Sequence, residues 1–262
     1  MDILFVALFG LIIGSFLNVF ICRLHTGKSL NGRSHCLSCG TVLVWYELLP
    51  ALSYLVLGGR CRHCSSRISG RYFLVEVGTA LLFVFSFLTA ESVLDTALLF
   101  ILSSVLVVIA VYDMMHTIIP DEMVLVLVAV AVLLVIPTGV PLAHLGAGVG
   151  AALFFWIFWY VSSGTWMGLG DAKLAFPLAG ILGGWGAVSM VILSFWVGAI
   201  ISLFLLALQK GKTHMPFLSP HLTMKSEIPF APFLIIGFVC VYFFHVDIFT
   251  ITDSVTQAVL GY

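Results

Sequence analysis

Leu98-Leu99-Phe100-Ile101-Leu102-Ser103-Ser104-Val105-Leu106-Val107-Val108-Ile109-Ala110-Val111-Tyr112-Asp113 is an uncharged apolar run closed by a carboxylic acid. The rest of the chain has the same character. Of its 262 residues 61% are hydrophobic and 9% charged, and the mean hydropathy is +1.19. An ordinary soluble domain, about 45–50% apolar, is excluded. The apolar runs are continuous and do not alternate, which argues against a β-barrel. A hydrocarbon core of about 30 Å takes about 20 residues of helix per crossing. The expectation is an all-α polytopic membrane protein with about eight transmembrane helices, at 3–22, 71–90, 96–113, 122–137, 143–162, 172–185, 187–208 and 230–246. The sixth is crowded by Pro177 and four glycines, and reads as short, kinked or tightly packed. A net charge of −1 and the lack of a basic tract leave no nucleic-acid partner; the partner implied is the lipid bilayer. Ile3–Ile21 lacks a basic flank and a small-residue cleavage site, so it is read as a retained helix and not a targeting segment.

Basic residues orient the chain. Arg23, Lys28, Arg33, Arg60, Arg62, Arg67 and Arg71 lie in or beside the long connection after the first helix; Lys173, Lys210, Lys212 and Lys225 lie in later connections. Threading the segments alternately puts all of them on one face, cytoplasmic by the positive-inside rule. Three domains follow: a first transmembrane helix (1–24), a cytoplasmic module (25–70) and a transmembrane domain (71–262).

The module carries Cys36-Leu37-Ser38-Cys39 and Cys61-Arg62-His63-Cys64. Two C-x-x-C knuckles at this spacing predict a tetrahedral zinc site, and a reducing compartment disfavours disulfides. Four thiolates close the coordination shell, so such a zinc is structural. His35 and His63 are then surface residues, and Cys22 and Cys240 small packing residues.

Asp113 and Asp171 are acids near membrane depth, where ionisable groups point to function. Asp113 stands at a helix C-terminus, where the dipole disfavours an anion. Asp121, after Pro120, fits a first-turn acid as well as a catalytic one. Asp171 follows Gly168-Leu169-Gly170, which taken alone also reads as a helix-entry turn with Asp as N-cap. Both Asp113 and Asp171 fall at the same membrane face. Two close carboxylates share one proton, so one can activate water while the other polarises a carbonyl. There is no Gly-x-Ser-x-Gly elbow and no His-Glu-x-x-His, which leaves aspartyl hydrolysis. An ion or proton transporter using the same acids is the competing reading at this point.

These residues resemble the type IV prepilin peptidase family, among the GxGD aspartyl intramembrane proteases. The resemblance runs through Gly14-Ser15-Phe16-Leu17-Asn18-Val19, the cysteine knuckles, Trp45-Tyr46-Glu47, Arg71–Glu76, Asp113 with Thr117, Pro120 and Asp121, Gly168–Lys173 and Ile228-Pro229-Phe230-Ala231-Pro232, where the family usually has glycine in place of Ala231. It implies a bacterial inner-membrane aspartyl endopeptidase that removes the basic leader of type IV prepilins or type II secretion pseudopilins on the cytoplasmic side. Asp113 and Asp171 would be its catalytic pair, and the new N-terminus would then be methylated from S-adenosylmethionine. A GxGD protease of other substrate range, without methylation, is the alternative within the class. Glu47, Glu76 and Gly59-Arg60 are candidates for the methyl-transfer site. Asn18 is expected in an interhelical hydrogen bond, and Lys173 to bias the charge of the site or face headgroups. The Gly168–Gly170 turn is read as holding the opened substrate strand, with Gly170→Val expected to weaken cleavage and leave folding intact.

Overall fold

The computed structural model describes residues 2–26, 29, 32–210 and 229–248. Lys28, Lys212, Lys225 and Ile228, used above for topology and resemblance, lie outside the described residues. Among the described residues the chain is helical, with two isolated β-bridges and no strand. The helices are α1 (Ile3–Arg23), α2 (Leu52–Val56), α3 (Arg71–Thr89), α4 (Val93–His116), α5 (Asp121–Val135), α6 (Pro141–Val161), α7 (Leu169–Leu182), α8 (Gly184–Lys210) and α9 (Ala231–Phe244). All eight apolar segments are helices. Six of them (α1, α3, α4, α5 with the turn that follows it, α6 and α8) are long and apolar enough to cross a membrane. The sixth and eighth segments, α7 and α9, have 14 residues each. At 1.5 Å per residue each rises about 21 Å, short of a 30 Å core. Pro177 lies inside α7 and the helix continues through it.

The chain divides into two compact units, Met1–Val111 and Tyr112–Tyr262. In the first, α1 packs on α3. Lipid-exposed helices gain little from the hydrophobic effect, so close approach at small residues does the joining. A Cβ added at Gly10 would stand 2.6 Å from Ala80 Cα, and one at Gly14 2.7 Å from Glu76 Cα. Asn18 donates its Nδ2–H to the Tyr72 carbonyl at 3.0 Å, the expected interhelical bond. Phe83 on α3 stacks on Phe100 of α4, centroids 4.3 Å apart, and the buried Ser86 and Ser103 hydroxyls meet at 2.9 Å.

In the second unit α7 is the hub, packed on α5, α6, α8 and α9; most of its residues from Asp171 onward are buried. Phe230, just before α9, lies against Phe155 of α6 and Phe195 of α8, centroids 5.7 and 5.1 Å away. These rings fix where α9 begins, and the buried Ala231 is its first residue.

Candidate active site and metal centre

Asp113 lies in the last turn of α4 and is 5% exposed; Asp171 lies in the first turn of α7 and is 7% exposed. The two carboxylates are near enough for the charge of one to act on the other. Two helix N-termini serve them. The backbone N–H of Ala231, at the start of α9, faces the Asp113 carboxylate. The Gly168 N–H, at the N-cap of α7, faces that of Asp171. Free first-turn N–H groups and the helix dipole favour an anion at both places. Asp113 Oδ2 is buried and makes no hydrogen bond, an acceptor left open where a reacting group could bind.

The helix start differs from the expected one. α7 begins at Leu169, with Gly168 at its N-cap, so Asp171 is the third helical residue and not a cap preceding the segment. Its carboxylate reaching back to the N-cap N–H is one half of a capping box. Neither Gly168 nor Gly170 has the left-handed backbone that favours glycine. Gly168 has φ −75°, a value open to any residue. Gly170 lies within the helix, and a Cβ there would stand 3.2–3.3 Å from Ile119. At 170 the missing side chain lets Ile119 of the 117–120 link come close, within a helical backbone that any residue could adopt.

That link carries strain. Thr117 follows α4 with φ +52°, unusual for a β-branched residue, and its N–H closes on the Asp113 carbonyl at 2.7 Å. Asp121 follows in the first turn of α5 and accepts a hydrogen bond from Lys173 Nζ at 2.7 Å. Lys173 thus has a carboxylate partner, and both groups are well exposed.

The four knuckle cysteines converge, every Sγ within 4.8 Å of the others. A zinc tetrahedron with bonds of about 2.3 Å has S···S edges of about 3.8 Å; Cys36 and Cys64 already stand 3.9 Å apart. The knuckles repeat one backbone pattern. Cys36 N–H bonds to Thr41 O and Cys61 N–H to Ser66 O, both at 2.9 Å. Gly40 (φ +71°) and Ser65 (φ +56°) hold the same left-handed position after each pair. Backbone N–H groups of Cys39 and Ser38 lower the Cys36 thiol to about 6, which favours the thiolate a metal needs. These residues can hold a metal ion.

Two acids of the first unit have specific partners. Glu47 is buried, accepts the Val44 N–H on Oε2 at 3.0 Å, and has Oε1 3.6 Å from His63 Nε2. Glu76 Oε2 accepts the Ala51 N–H at 2.7 Å. Neither partner is legible from sequence, since both arise from the fold of the 44–51 segment.

The Bacterial Peptidase A24 N-terminal domain family matches residues 8–90, and the Type IV leader peptidase family matches residues 100–203, which include both acids. A prepilin leader peptidase/N-methyltransferase of Pseudomonas putida is 32% identical over 87% of this chain and 85% of its own length. The chain belongs to the type IV leader peptidase family. A prepilin leader peptidase/N-methyltransferase of Pseudomonas aeruginosa is 30% identical over 88% of this chain and 86% of its own length. One from Myxococcus xanthus is 34% identical over 77% of this chain, which spans 62% of that relative. No solved structure matches the chain.

Proposed function

We propose that this chain is a membrane aspartyl endopeptidase that cleaves the leader from type IV prepilins or type II secretion pseudopilins. It then methylates the new N-terminal amine from S-adenosylmethionine. The observation that carries the peptidase reading is the buried pair Asp113 and Asp171, each faced by the N-terminus of a helix. One carboxylate, ionised, takes a proton from water as the water oxygen adds to the scissile carbonyl carbon. The protonated partner donates to the carbonyl oxygen. Collapse of the tetrahedral adduct breaks the C–N bond, and the proton passes to the departing amine. Lys173 of α7 pairs with Asp121 of α5.

Cys36, Cys39, Cys61 and Cys64 would hold zinc in a closed, structural site. The chain is divided as a first helix (1–24), a zinc module (25–70) and a peptidase domain (71–262). The module and both acids are placed on the cytoplasmic face of a bacterial inner membrane, on the positive-inside argument. The relatives' names support methylation as the second activity. The test is to incubate the purified protein with a prepilin, with and without S-adenosylmethionine, and weigh the product. Loss of the leader, with a gain of about 14 Da only when the donor is present, is the expected result. An uncleaved precursor would overturn the peptidase reading, and a cleaved but unmethylated product the second activity.

A further inference from the structure

The acid pair accounts for cleavage and lies wholly in the second unit. Methyl transfer needs a place for a cationic sulfonium donor, and the first unit contains a carboxylate that its own packing does not satisfy. The Glu47 side chain is 3% exposed, and its Oε1 makes no hydrogen bond. A buried unsatisfied carboxylate oxygen is costly and calls for an explanation. The segment holding it is fixed at both ends by acids. Glu47 Oε2 takes the Val44 N–H at 3.0 Å, and Glu76 Oε2, from α3, takes the Ala51 N–H at 2.7 Å. Ala51 has φ +57°, strain that an alanine keeps only where surrounding contacts impose it. Strain and an unsatisfied acid within five residues mark a built site more than a spacer.

Trp45 and Tyr46, which precede Glu47, meet edge to face at 5.7 Å. The Arg62 guanidinium lies 5.4 Å from the Tyr46 ring, leaving Trp45, 76% exposed, as the aromatic open to another cation. Aromatic faces and a carboxylate are the groups that recognise a permanent cation. His63 Nε2 stands 3.6 Å from Glu47 Oε1 and its side chain is 47% exposed, which makes this ring the cover a donor would have to displace.

We propose that the 44–51 segment carries the contact for the cationic methyl donor, with Glu47 Oε1 as its polar anchor, Trp45 as its aromatic face and Glu76 as the positioning residue that fixes the segment on α3. The inference rests on the methylation reading above. The cleavage step uses none of these residues.

The test is calorimetric titration of S-adenosylmethionine into the purified, zinc-loaded full chain, with zinc content and prepilin cleavage measured alongside. Glu47→Gln removes the charge and keeps the shape; donor binding should weaken at least tenfold while zinc content and cleavage stay at the wild-type level. His63→Ala separates a donor contact from a structural strut. A donor contact keeps or tightens binding when its cover is removed, whereas a strut weakens it as Glu47→Gln does. Wild-type affinity in Glu47→Gln, or weakened binding in His63→Ala, would overturn the proposal. Zinc or cleavage lost with Glu47→Gln would overturn it too. A wild-type protein that cleaves but binds no donor would instead remove the methylation reading on which the proposal stands.

Discussion

Ala231, the first residue of α9, turns its backbone N–H toward the carboxylate of Asp113, in the last turn of α4. The contact joins positions far apart in sequence, and Phe155 and Phe195 hold it in register by gripping Phe230. It explains how an acid can sit at a helix C-terminus: a second helix supplies the positive dipole end that its own helix lacks.

So close a placement makes carboxylate position decisive. Asp113→Glu keeps the charge and moves it by one methylene in a buried site. Misplacement of about 1 Å costs on the order of a hundredfold in rate. Cleavage by Asp113→Glu, measured as kcat on a prepilin, should fall about that far at normal protein level.

Gly170 gives the second prediction. A side chain there runs into Ile119, and overpacking of this kind costs about 1–3 kcal/mol. Gly170→Val should therefore lower thermal stability as well as cleavage, contrary to the expectation drawn from sequence. Adding Ile119→Ala should restore part of both, read by thermal unfolding in detergent and by product yield.

The Lys173–Asp121 pair at 2.7 Å is short, yet both side chains are well exposed. Exposed ion pairs contribute about 0–1 kcal/mol. Lys173→Gln should shift stability by less than about 1 kcal/mol, and cleavage by no more than about fivefold, the rate equivalent of that energy. A steady-state assay of the variant checks it.

The cysteine module is tested by its metal and by its backbone. One zinc per chain is expected by elemental analysis, lost in Cys61→Ser, with faster amide exchange across 34–68 after chelation. Ser65 occupies the left-handed position that Gly40 fills in the other knuckle. Ser65→Gly should therefore raise resistance to chelator, since relief of that conformation is worth about 1 kcal/mol.

The features legible in the sequence were those with local spacing. Cys36, Cys39, Cys61 and Cys64 announce their convergence because each knuckle is a turn closed within six residues. Asp113 and Asp171 stand out because charge is costly next to apolar runs. Long-range geometry was hidden. Nothing near Ala231 in sequence shows that its N–H serves Asp113, and nothing near Glu76 shows that it holds Ala51. At Gly170 the sequence leaves open whether glycine serves backbone freedom or close approach, and only the position of Ile119 shows which neighbour comes close. The shortness of α7 was legible in Pro177 and the glycines that follow it, whereas α9 was drawn too long because apolar flanks extend a hydropathy run past the last helical hydrogen bond.

The most direct test of the central claim is leader cleavage in membranes by wild type, Asp113→Asn and Asp171→Asn at matched protein levels, with products read by mass spectrometry. An aspartyl pair predicts full cleavage by wild type and none detectable in either variant. Cleavage that survives either substitution would contradict the assignment of Asp113 and Asp171 as the catalytic acids.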